Sequence, residues 1–272
     1  LSKFNEWLIL QGKSSKTATS FCSNTNRFLQ WLEKENIEAE NTSYADILAY
    51  IQHLKNRGNK QITQQGTINA LKHFFNFLQS EEAVEENPAD VVQIKGVKRK
   101  TLHEILTPQE LETLYQSYHT ERKYDTKKIP PQYKNTLARK RNKIILGLLI
   151  HQGLRAGELA RMELQDLKLR DGKIFITGSR KTEERTLKLE AHQIYDIMDY
   201  VNQTRKEILS LTGKNTNKVF TSINRSPNFN NIMQKLTKSI KAINPKIKDV
   251  QHIRASVITN WLKVHNLRKV QY

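Results

Sequence analysis

Apolar and aromatic side chains recur every three or four residues through the first eighty residues of the chain. Four such stripes occupy the segments 4–10, 18–32, 47–54 and 68–78. This spacing puts the apolar residues on one face of a helix, and each helix must bury that face against a neighbour. The sequence therefore predicts a set of four amphipathic helices whose aromatic residues form a core.

The pattern changes after these helices. Asn87-Pro88 ends the apolar periodicity, and four of the seven residues in 94–100 are Lys or Arg. A new helix is expected after Thr107, because Pro108 suits its first turn and Glu110 can complete a capping box. The predicted boundaries are a helical domain over 1–94, a basic linker over 95–106 and a second domain over 107–272.

The second domain is predicted to be mostly helical with one small antiparallel sheet. The segment 141–149 is a strongly apolar helix that should stop at Gly153, and a short helix should begin near Ala156. The segments 172–178 and 185–189 have the composition of paired strands. Helices are expected again near residues 190, 230 and 251. The fold class is therefore mainly α, a helical N-terminal domain followed by a mixed α/β domain.

The positive charge is concentrated in the second part. The chain carries a net charge of +18, but residues 1–97 hold 10 Lys and Arg against 11 Asp and Glu, which leaves 35 against 16 in residues 98–272. A cationic surface of this strength attracts polyanions. Nucleic acid is the first candidate partner and an anionic membrane the second.

Several classes of protein are not indicated. No apolar run approaches the roughly 20 residues that span a bilayer, and the start lacks the pattern of a signal peptide. With Cys22 as the single cysteine, no internal disulfide is expected, in agreement with an intracellular location. The histidines lack zinc-site spacing, and Ile208 stands where a phosphate loop ending in Gly213-Lys214 needs glycine. We expect no metal or nucleotide cofactor.

Three polar groups remain, and together they resemble the boxes of the tyrosine recombinase, or phage integrase, family. The segment 153–159 (Gly-Leu-Arg-Ala-Gly-Glu-Leu) resembles the Gly-x-Arg-x-x-Glu-Leu box. Lys181, in the predicted hairpin about 25 residues downstream, resembles the catalytic-lysine loop. Arg254 resembles the arginine of the second box. Three boxes in order, after a helical domain and a basic linker, make the resemblance specific, and it implies that the first domain is a core-binding domain.

The resemblance implies a role for each residue, and the chemistry agrees. A phosphodiester under attack gains negative charge on its non-bridging oxygens, which Arg155 and Arg254 can clamp. Lys181 can protonate the departing 5′ oxygen as general acid. Glu158 would orient Arg155, and Arg180 would contact a backbone phosphate.

Two departures from the family pattern are present. The position three residues before Arg254, usually histidine, is Gln251, which can still donate a hydrogen bond to the phosphate but cannot act as acid or base; His252 is then the next candidate proton donor. The pattern places the nucleophilic tyrosine about thirty residues past the second arginine, beyond residue 272. We therefore expect Tyr272 to be a packing residue, both chain ends to be cut, and the fragment itself to be inactive.

The resemblance also predicts which residues bind DNA. In the first domain they are the polar and basic side chains expected to face away from the aromatic core, and in the linker they are basic residues. They are Lys16, Thr19, Thr63, Gln64, Lys72, Lys98 and Arg99.

These features predict a site-specific DNA recombinase that exchanges strands through a 3′-phosphotyrosyl intermediate. Its partner would be double-stranded DNA in the bacterial cytoplasm, associated with the nucleoid and not with a membrane. The family implies two protomers at each site and four at synapsis. Two alternatives stay open: a DNA-binding regulator on a degenerate recombinase scaffold, and a type IB topoisomerase. The sequence leaves open whether a transposon, phage, plasmid or chromosome is served.

Overall fold

The computed structural model describes residues 1–96, 104–120, 129–179, 182–224 and 228–267, with the backbone alone for 129–132. The chain forms two compact units, Leu1–Leu102 and His103–Tyr272. The described residues are mostly helical and contain one three-stranded antiparallel sheet, which lies in the second unit. The predicted fold class is confirmed.

Four helices form the first unit, as the apolar periodicity predicts. They are α1 (Ser2–Leu10), α2 (Ser15–Glu35), α3 (Tyr44–Asn56) and α4 (Gln61–Ser80). Phe28 of α2 is buried at the centre of the core, and its ring lies 4.9 Å from Tyr50 and 6.1 Å from both Trp31 and Phe75, measured between ring centroids. The aromatic residues are therefore core residues, which leaves polar faces of the helices outside.

The helical part of this unit ends at Ser80, before the Asn87-Pro88 pair that the sequence suggested as its end. The segment that follows lies against α4. Asn87 Nδ2 donates to Lys72 O at 2.9 Å, and Ile94 N donates to Gln65 Oε1 at 3.3 Å. Helix α4 thus holds this segment through the backbone carbonyl of Lys72 and the side chain of Gln65.

Besides short 3-10 and π-helical turns, the second unit contains seven α-helices and three strands among its described residues. In chain order they are α5 (Pro108–Gln116), α6 (Ile129–His151), α7 (Ala156–Arg161), β1 (Leu167–Lys168), β2 (Lys173–Ile176), β3 (Arg185–Lys188), α8 (Ala191–Asp199), α9 (Arg205–Thr212), α10 (Phe229–Ile243) and α11 (Val250–Val264). β2 pairs antiparallel with β1 and β3, in the register Ile174↔Leu187. The two predicted strands are confirmed, whereas β1 and α9 were not predicted.

The start of the second unit lies within the predicted linker. Leu106 is buried in the core, its N–H donates to Ser256 Oγ at 3.1 Å, and its carbonyl accepts from Asn260 Nδ2 at 2.8 Å. The capping box follows as predicted, with Thr107 Oγ1 accepting from Glu110 N at 3.2 Å and Glu110 Oε2 accepting from Thr107 N at 2.8 Å. The segment 104–106 is therefore packed against α11.

The apolar helix α6 positions the segment that follows it. Its residues Ile145, Leu146 and Leu149 are buried, and it packs against α5, α8 and α11. The helix ends at His151, and Gly153 then adopts a positive φ of 59°. The chain therefore turns at Gly153 while still buried, and Arg155 is the first exposed residue after the turn.

Replacing Phe28 with Ala should destabilise the first unit by about 3–5 kcal/mol, because the cavity would be surrounded by rings that cannot collapse into it. Urea unfolding monitored by tryptophan fluorescence measures the change. Leu10→Ala is the matched control, because Leu10 is exposed and should change the free energy of unfolding little. Equal effects of the two substitutions would contradict this description of the core.

Candidate active site

A cleft of about 710 Å³ lies where the end of α6, the β2–β3 hairpin and α11 meet. Arg155, Arg185 and Arg254 line it, and Trp261 lies among its apolar residues. The two arginines singled out in the sequence, far apart along the chain, are thus brought to one cleft. A third arginine, which the sequence analysis did not single out, joins them.

The carboxylate of Glu158 lies at the centre of this group, and its side chain is only 2% exposed. Oε1 accepts from Arg155 Nη1 at 3.3 Å and from Arg185 Nη1 at 3.0 Å. Oε2 accepts from the Arg155 backbone N–H at 2.8 Å and from Arg185 Nη2 at 3.0 Å. Glu158 therefore forms a salt bridge between α7 and β3. Its carboxylate is buried, unlike that of a surface ion pair.

The charges in the cleft do not balance. Burial works to raise the pKa of Glu158, but the hydrogen bonds from Arg185 and Arg155 outweigh it and hold that pKa below its usual value. Burial, followed by the charge of Arg155, lowers the pKa of Arg254, yet a guanidinium stays protonated at neutral pH. Arg155, Arg185, Lys188 and Arg254 line the cleft together with Glu183 and Glu184, and Glu158 is buried beside them, so four cations stand against three carboxylates. The three guanidiniums are planar donors that suit an oxyanion of phosphate type.

The turn between α6 and α7 positions two of the arginines. Arg254 Nε donates to the carbonyl of Gly153 at 2.8 Å, which fixes the guanidinium of α11 against the turn. A Cβ on Gly153 would lie 3.1 Å from the ring of Trp261. Glycine is required here both by the positive φ and by this close approach. Arg155 caps the start of α7, and its side chain is 47% exposed.

A pair of buried amides fixes the residue before that glycine. Gln152 Nε2 donates to Gln193 Oε1 at 2.7 Å, and Gln193 Nε2 donates back to Gln152 Oε1 at 2.9 Å. Gln152 Nε2 also donates to the carbonyl of Lys188 at 3.2 Å. The end of α6 is therefore bound to the end of β3 and to α8, so the turn has little freedom to shift.

Five predicted residues lie outside the described part of the chain: Lys98, Arg99, Arg180, Lys181 and Tyr272. The residues on either side of Arg180 and Lys181 are described. Ser179 N donates to Thr182 O at 2.7 Å, and Thr182 N donates to Ser179 O at 3.1 Å. Thr182 lines the cleft. The hairpin between β2 and β3 therefore reaches the cleft beside the position of Lys181 in the sequence.

The two candidates at the start of α11 have different environments. Gln251 is exposed and lies three residues before Arg254, which puts both on one helix face. His252 is buried, with Nε2 2.6 Å from Glu104 O and Nδ1 accepting from Lys248 N at 3.3 Å. Because both ring nitrogens contact backbone groups, the expectation that His252 donates a proton is not supported. Its ring holds α11 to the segment 104–106.

Three of the predicted DNA-binding residues of the first unit are exposed: Lys16, Thr19 and Thr63. The prediction that Gln64 faces outward is wrong. Gln64 is 5% exposed, because its Nε2 donates to the carbonyl of Asn59 at 2.8 Å in the turn before α4. Lys72 is half-buried, and its ammonium donates to the carbonyl of Asp90. Both side chains have structural partners that the helical periodicity did not reveal.

Arg185 is the cleft residue that the sequence analysis missed. Alternation along β3 puts Arg185 on the same face as Leu187, the face that packs inward. A cation on an inward face needs a counter-charge, so the strand pattern alone could have predicted a buried ion pair at Arg185. Its partner, Glu158, lies 27 positions earlier, at a distance that the strand pattern cannot specify.

The described residues contain no helix that combines the length and the apolar character needed to cross a membrane. Within the same ranges, no group of three or more His, Cys, Asp and Glu side chains is arranged to hold a metal ion.

Two family models match the chain. The model described as "Phage integrase, N-terminal SAM-like domain" matches residues 1–84, and the model described as "Phage integrase family" matches residues 104–271. The first match coincides with the four-helix unit, and the second contains the cleft.

Individual proteins are also similar. A tyrosine recombinase of Pseudothermotoga lettingae is 23% identical over 209 residues, 76% of this chain and 66% of the relative. Tyrosine recombinase XerD of Chlorobaculum tepidum is 26% identical over 217 residues, 79% of this chain and 67% of the relative. The matched part spans about two thirds of the length of these relatives.

Solved structures share the fold. The XerH site-specific recombinase bound to difH substrate has a TM-score of 0.69 at 16% identity, covering 93% of this chain and 72% of that chain. A lambda integrase tetramer bound to a Holliday junction has a TM-score of 0.64 at 16% identity, covering 99% of this chain and 71% of that chain. At these identities the likeness concerns the fold.

Replacing Glu158 with Gln should destabilise the second unit by about 3 kcal/mol, because Arg185 would remain largely buried without a counter-charge. The pKa of Glu158 is depressed in the folded state, so its stabilisation is complete above the unfolded value of about 4.3 and is lost as the pH falls further. The difference between wild type and variant should therefore shrink below about pH 4.

Denaturant unfolding at pH 7 and at pH 3.5 measures this difference. Glu112→Gln is the control, because Glu112 is exposed on α5. A variant as stable as the control at pH 7 would show that the Glu158 carboxylate does not bind the arginines as described.

Proposed function

This chain belongs to the phage integrase family, and we propose that it acts as a site-specific DNA recombinase that breaks and rejoins strands through a 3′-phosphotyrosyl intermediate. One observation carries the proposal. Arg155 and Arg254, which the sequence places in two separate boxes, line one cleft. A pair of guanidiniums in a cleft with excess positive charge is what a phosphodiester under attack requires.

The proposed clamp acts on the transition state. As a nucleophile attacks, the phosphorus becomes pentavalent and its non-bridging oxygens gain negative charge. Arg155 and Arg254 would donate hydrogen bonds to these oxygens, in a cleft where Arg254 is already held by the carbonyl of Gly153. Because Arg254 is held in place before the reaction, this half of the clamp needs little reorganisation as the charge develops.

Lys181 is proposed as the general acid for the 5′ oxygen that leaves. The role rests on the resemblance of its box and on Thr182, the next residue, which lines the cleft. An ammonium carries a proton that it can transfer to the departing oxygen. Arg180 is proposed to contact a backbone phosphate, because a guanidinium does not release its proton near neutral pH.

The nucleophile is proposed to be a tyrosine that follows residue 272. Attack by its hydroxyl would form the phosphotyrosyl bond and release a 5′ hydroxyl, and attack by a 5′ hydroxyl would reverse the step. The bond energy is kept in the protein–DNA link, so neither a metal ion nor a nucleotide is needed for the chemistry.

The proposed partner is double-stranded DNA. The basic charge of the second part would bind its phosphates, and the exposed Lys16, Thr19 and Thr63 of the first unit would contact the same duplex. Two protomers are proposed at each site and four at synapsis, as in the lambda integrase tetramer on a Holliday junction. A DNA substrate of this kind would place the protein at the bacterial nucleoid.

Gln251 supports a second candidate function, a DNA-binding regulator. This residue shares a helix face with Arg254 but cannot act as acid or base. A chain with glutamine here could therefore bind a site without efficient cleavage. A chain extended past residue 272 to its tyrosine distinguishes the two. Covalent protein–DNA product supports the recombinase, and tight binding without product supports the regulator.

DNA affinity should fall at least tenfold between roughly 50 and 200 mM salt, because each phosphate contact releases condensed counterions. Fluorescence anisotropy with a labelled duplex measures the slope. Lys16→Gln should reduce the slope by about one, whereas Lys16→Arg, which keeps the positive charge, should leave it unchanged. An affinity that is flat across this range would contradict the phosphate-binding surface.

In the extended chain, Arg155→Ala and Arg254→Ala should each reduce cleavage of a nicked site by about 10²-fold or more, because each removes a guanidinium from the charged transition state. Duplex affinity should fall far less. Single-turnover cleavage on denaturing gels measures the rate. If either variant cleaves at the wild-type rate, that arginine is not part of the clamp.

Lys181→Ala should respond differently to the substrate. A 5′ bridging sulfur leaves without protonation, so it should restore cleavage by Lys181→Ala and not by either arginine variant. The same single-turnover assay measures the rescue. Rescue of all three variants would contradict the assigned roles, and no rescue of Lys181→Ala would require another proton donor.

A further inference from the structure

We infer that Arg185 is a positioning residue for the proposed reaction: it binds the Glu158 carboxylate so that the guanidinium of Arg155 stays available in the cleft. The inference rests on the proposed function, because its effect on rate requires a phosphate bound by Arg155. Neither the sequence boxes nor the family resemblance assigned a role to this residue.

The contacts of Arg185 are those of a structural partner. Its side chain is 17% exposed, and its two terminal nitrogens each donate to one Glu158 oxygen at 3.0 Å. Two parallel bonds between a guanidinium and a carboxylate fix both groups in one plane and are among the strongest ion pairs. Arg185 thereby determines where the Glu158 carboxylate lies.

Arg155 has a weaker hold on the same carboxylate. Its guanidinium donates to Glu158 at 3.3 Å through Nη1, whereas its backbone N–H makes the shorter 2.8 Å bond. The side chain is 47% exposed, against 17% for Arg185. Arg155 is therefore attached to Glu158 mainly through its backbone, and its exposed guanidinium can turn to a substrate.

Removing Arg185 would change the partner of Glu158. The buried carboxylate would lose two hydrogen bonds, and Arg155 is the remaining side chain bound to it among the described residues. An unpaired buried carboxylate is unfavourable, so Arg155 should be drawn into a closer pair with Glu158. The clamp would lose a guanidinium even though Arg155 is still present.

The position of Arg185 adds a second consequence. It begins β3, opposite Ile176 of β2. This pair is the one nearest the segment between the two strands, which contains Lys181 in the sequence. Glu158 belongs to α7, directly after the Arg155 turn. The Arg185–Glu158 pair therefore joins the element of the proposed general acid to the element of the proposed clamp.

The test compares Arg185→Gln and Arg185→Lys in the extended chain, with Arg170→Gln as control. Arg170 is exposed and is not a lining residue of the cleft. Arg185→Gln should lower the single-turnover cleavage rate at saturating DNA by about tenfold or more, with little change in DNA affinity. Arg185→Lys, which keeps the charge without the bidentate geometry, should lie between wild type and Arg185→Gln.

A double-mutant cycle with Arg155→Ala separates positioning from a general structural effect. If Arg185 acts through Arg155, Arg185→Gln should cause no further loss of rate in the Arg155→Ala chain. Additive losses would overturn the inference, as would Arg185→Gln variants that cleave like the control. If Arg185→Gln does not fold, the Arg185→Lys variant decides: a reduced rate at an unchanged melting temperature supports the inference, and an unchanged rate overturns it.

The wild-type extended chain distinguishes this failure from failure of the proposed function. Absence of cleavage by wild type would contradict the recombinase proposal. Cleavage by wild type with an unaffected Arg185→Gln variant would contradict the role of Arg185 alone.

Discussion

The positions of the cleft residues depend on the hydrogen bonds that the buried carboxylate of Glu158 accepts. It accepts hydrogen bonds from the backbone and side chain of Arg155 and from both terminal nitrogens of Arg185. One negative charge therefore fixes the start of α7 against β3. A buried carboxylate is tolerated only where it is paired and hydrogen-bonded in this way. The same contacts that stabilise the fold thus also position the groups proposed to bind a phosphate.

The turn at Gly153 connects this ion pair to α11. Its carbonyl receives Arg254 Nε at 2.8 Å, and its missing side chain admits the ring of Trp261. The amide pair of Gln152 and Gln193 holds the preceding residue. Arg254 is therefore positioned through backbone geometry, whereas Arg155 is positioned through a carboxylate. Two independent supports bring the guanidiniums to one place.

Much of this arrangement can be predicted from local sequence. Apolar periodicity indicates the four helices of the first unit, and the Thr107 capping box indicates the start of α5, because both signals depend on nearby residues. Contacts between distant segments cannot be predicted in this way. The bidentate pair of Arg185 and Glu158 joins a strand to a helix, and the burial of Gln64 depends on the carbonyl of Asn59 in a turn. The contact of the His252 ring with the carbonyl of Glu104 is likewise a contact between distant segments, which the local sequence does not reveal.

The central claim is that Arg155 and Arg254 bind one and the same phosphodiester. Binding interference measures this directly: each phosphate of a bound duplex is replaced in turn by a neutral methylphosphonate, and affinity is measured for wild type, Arg155→Ala and Arg254→Ala. We expect a single position in each half-site where the substitution weakens wild type but has little further effect on either variant. Different positions for the two arginines, or no shared position, would contradict the account.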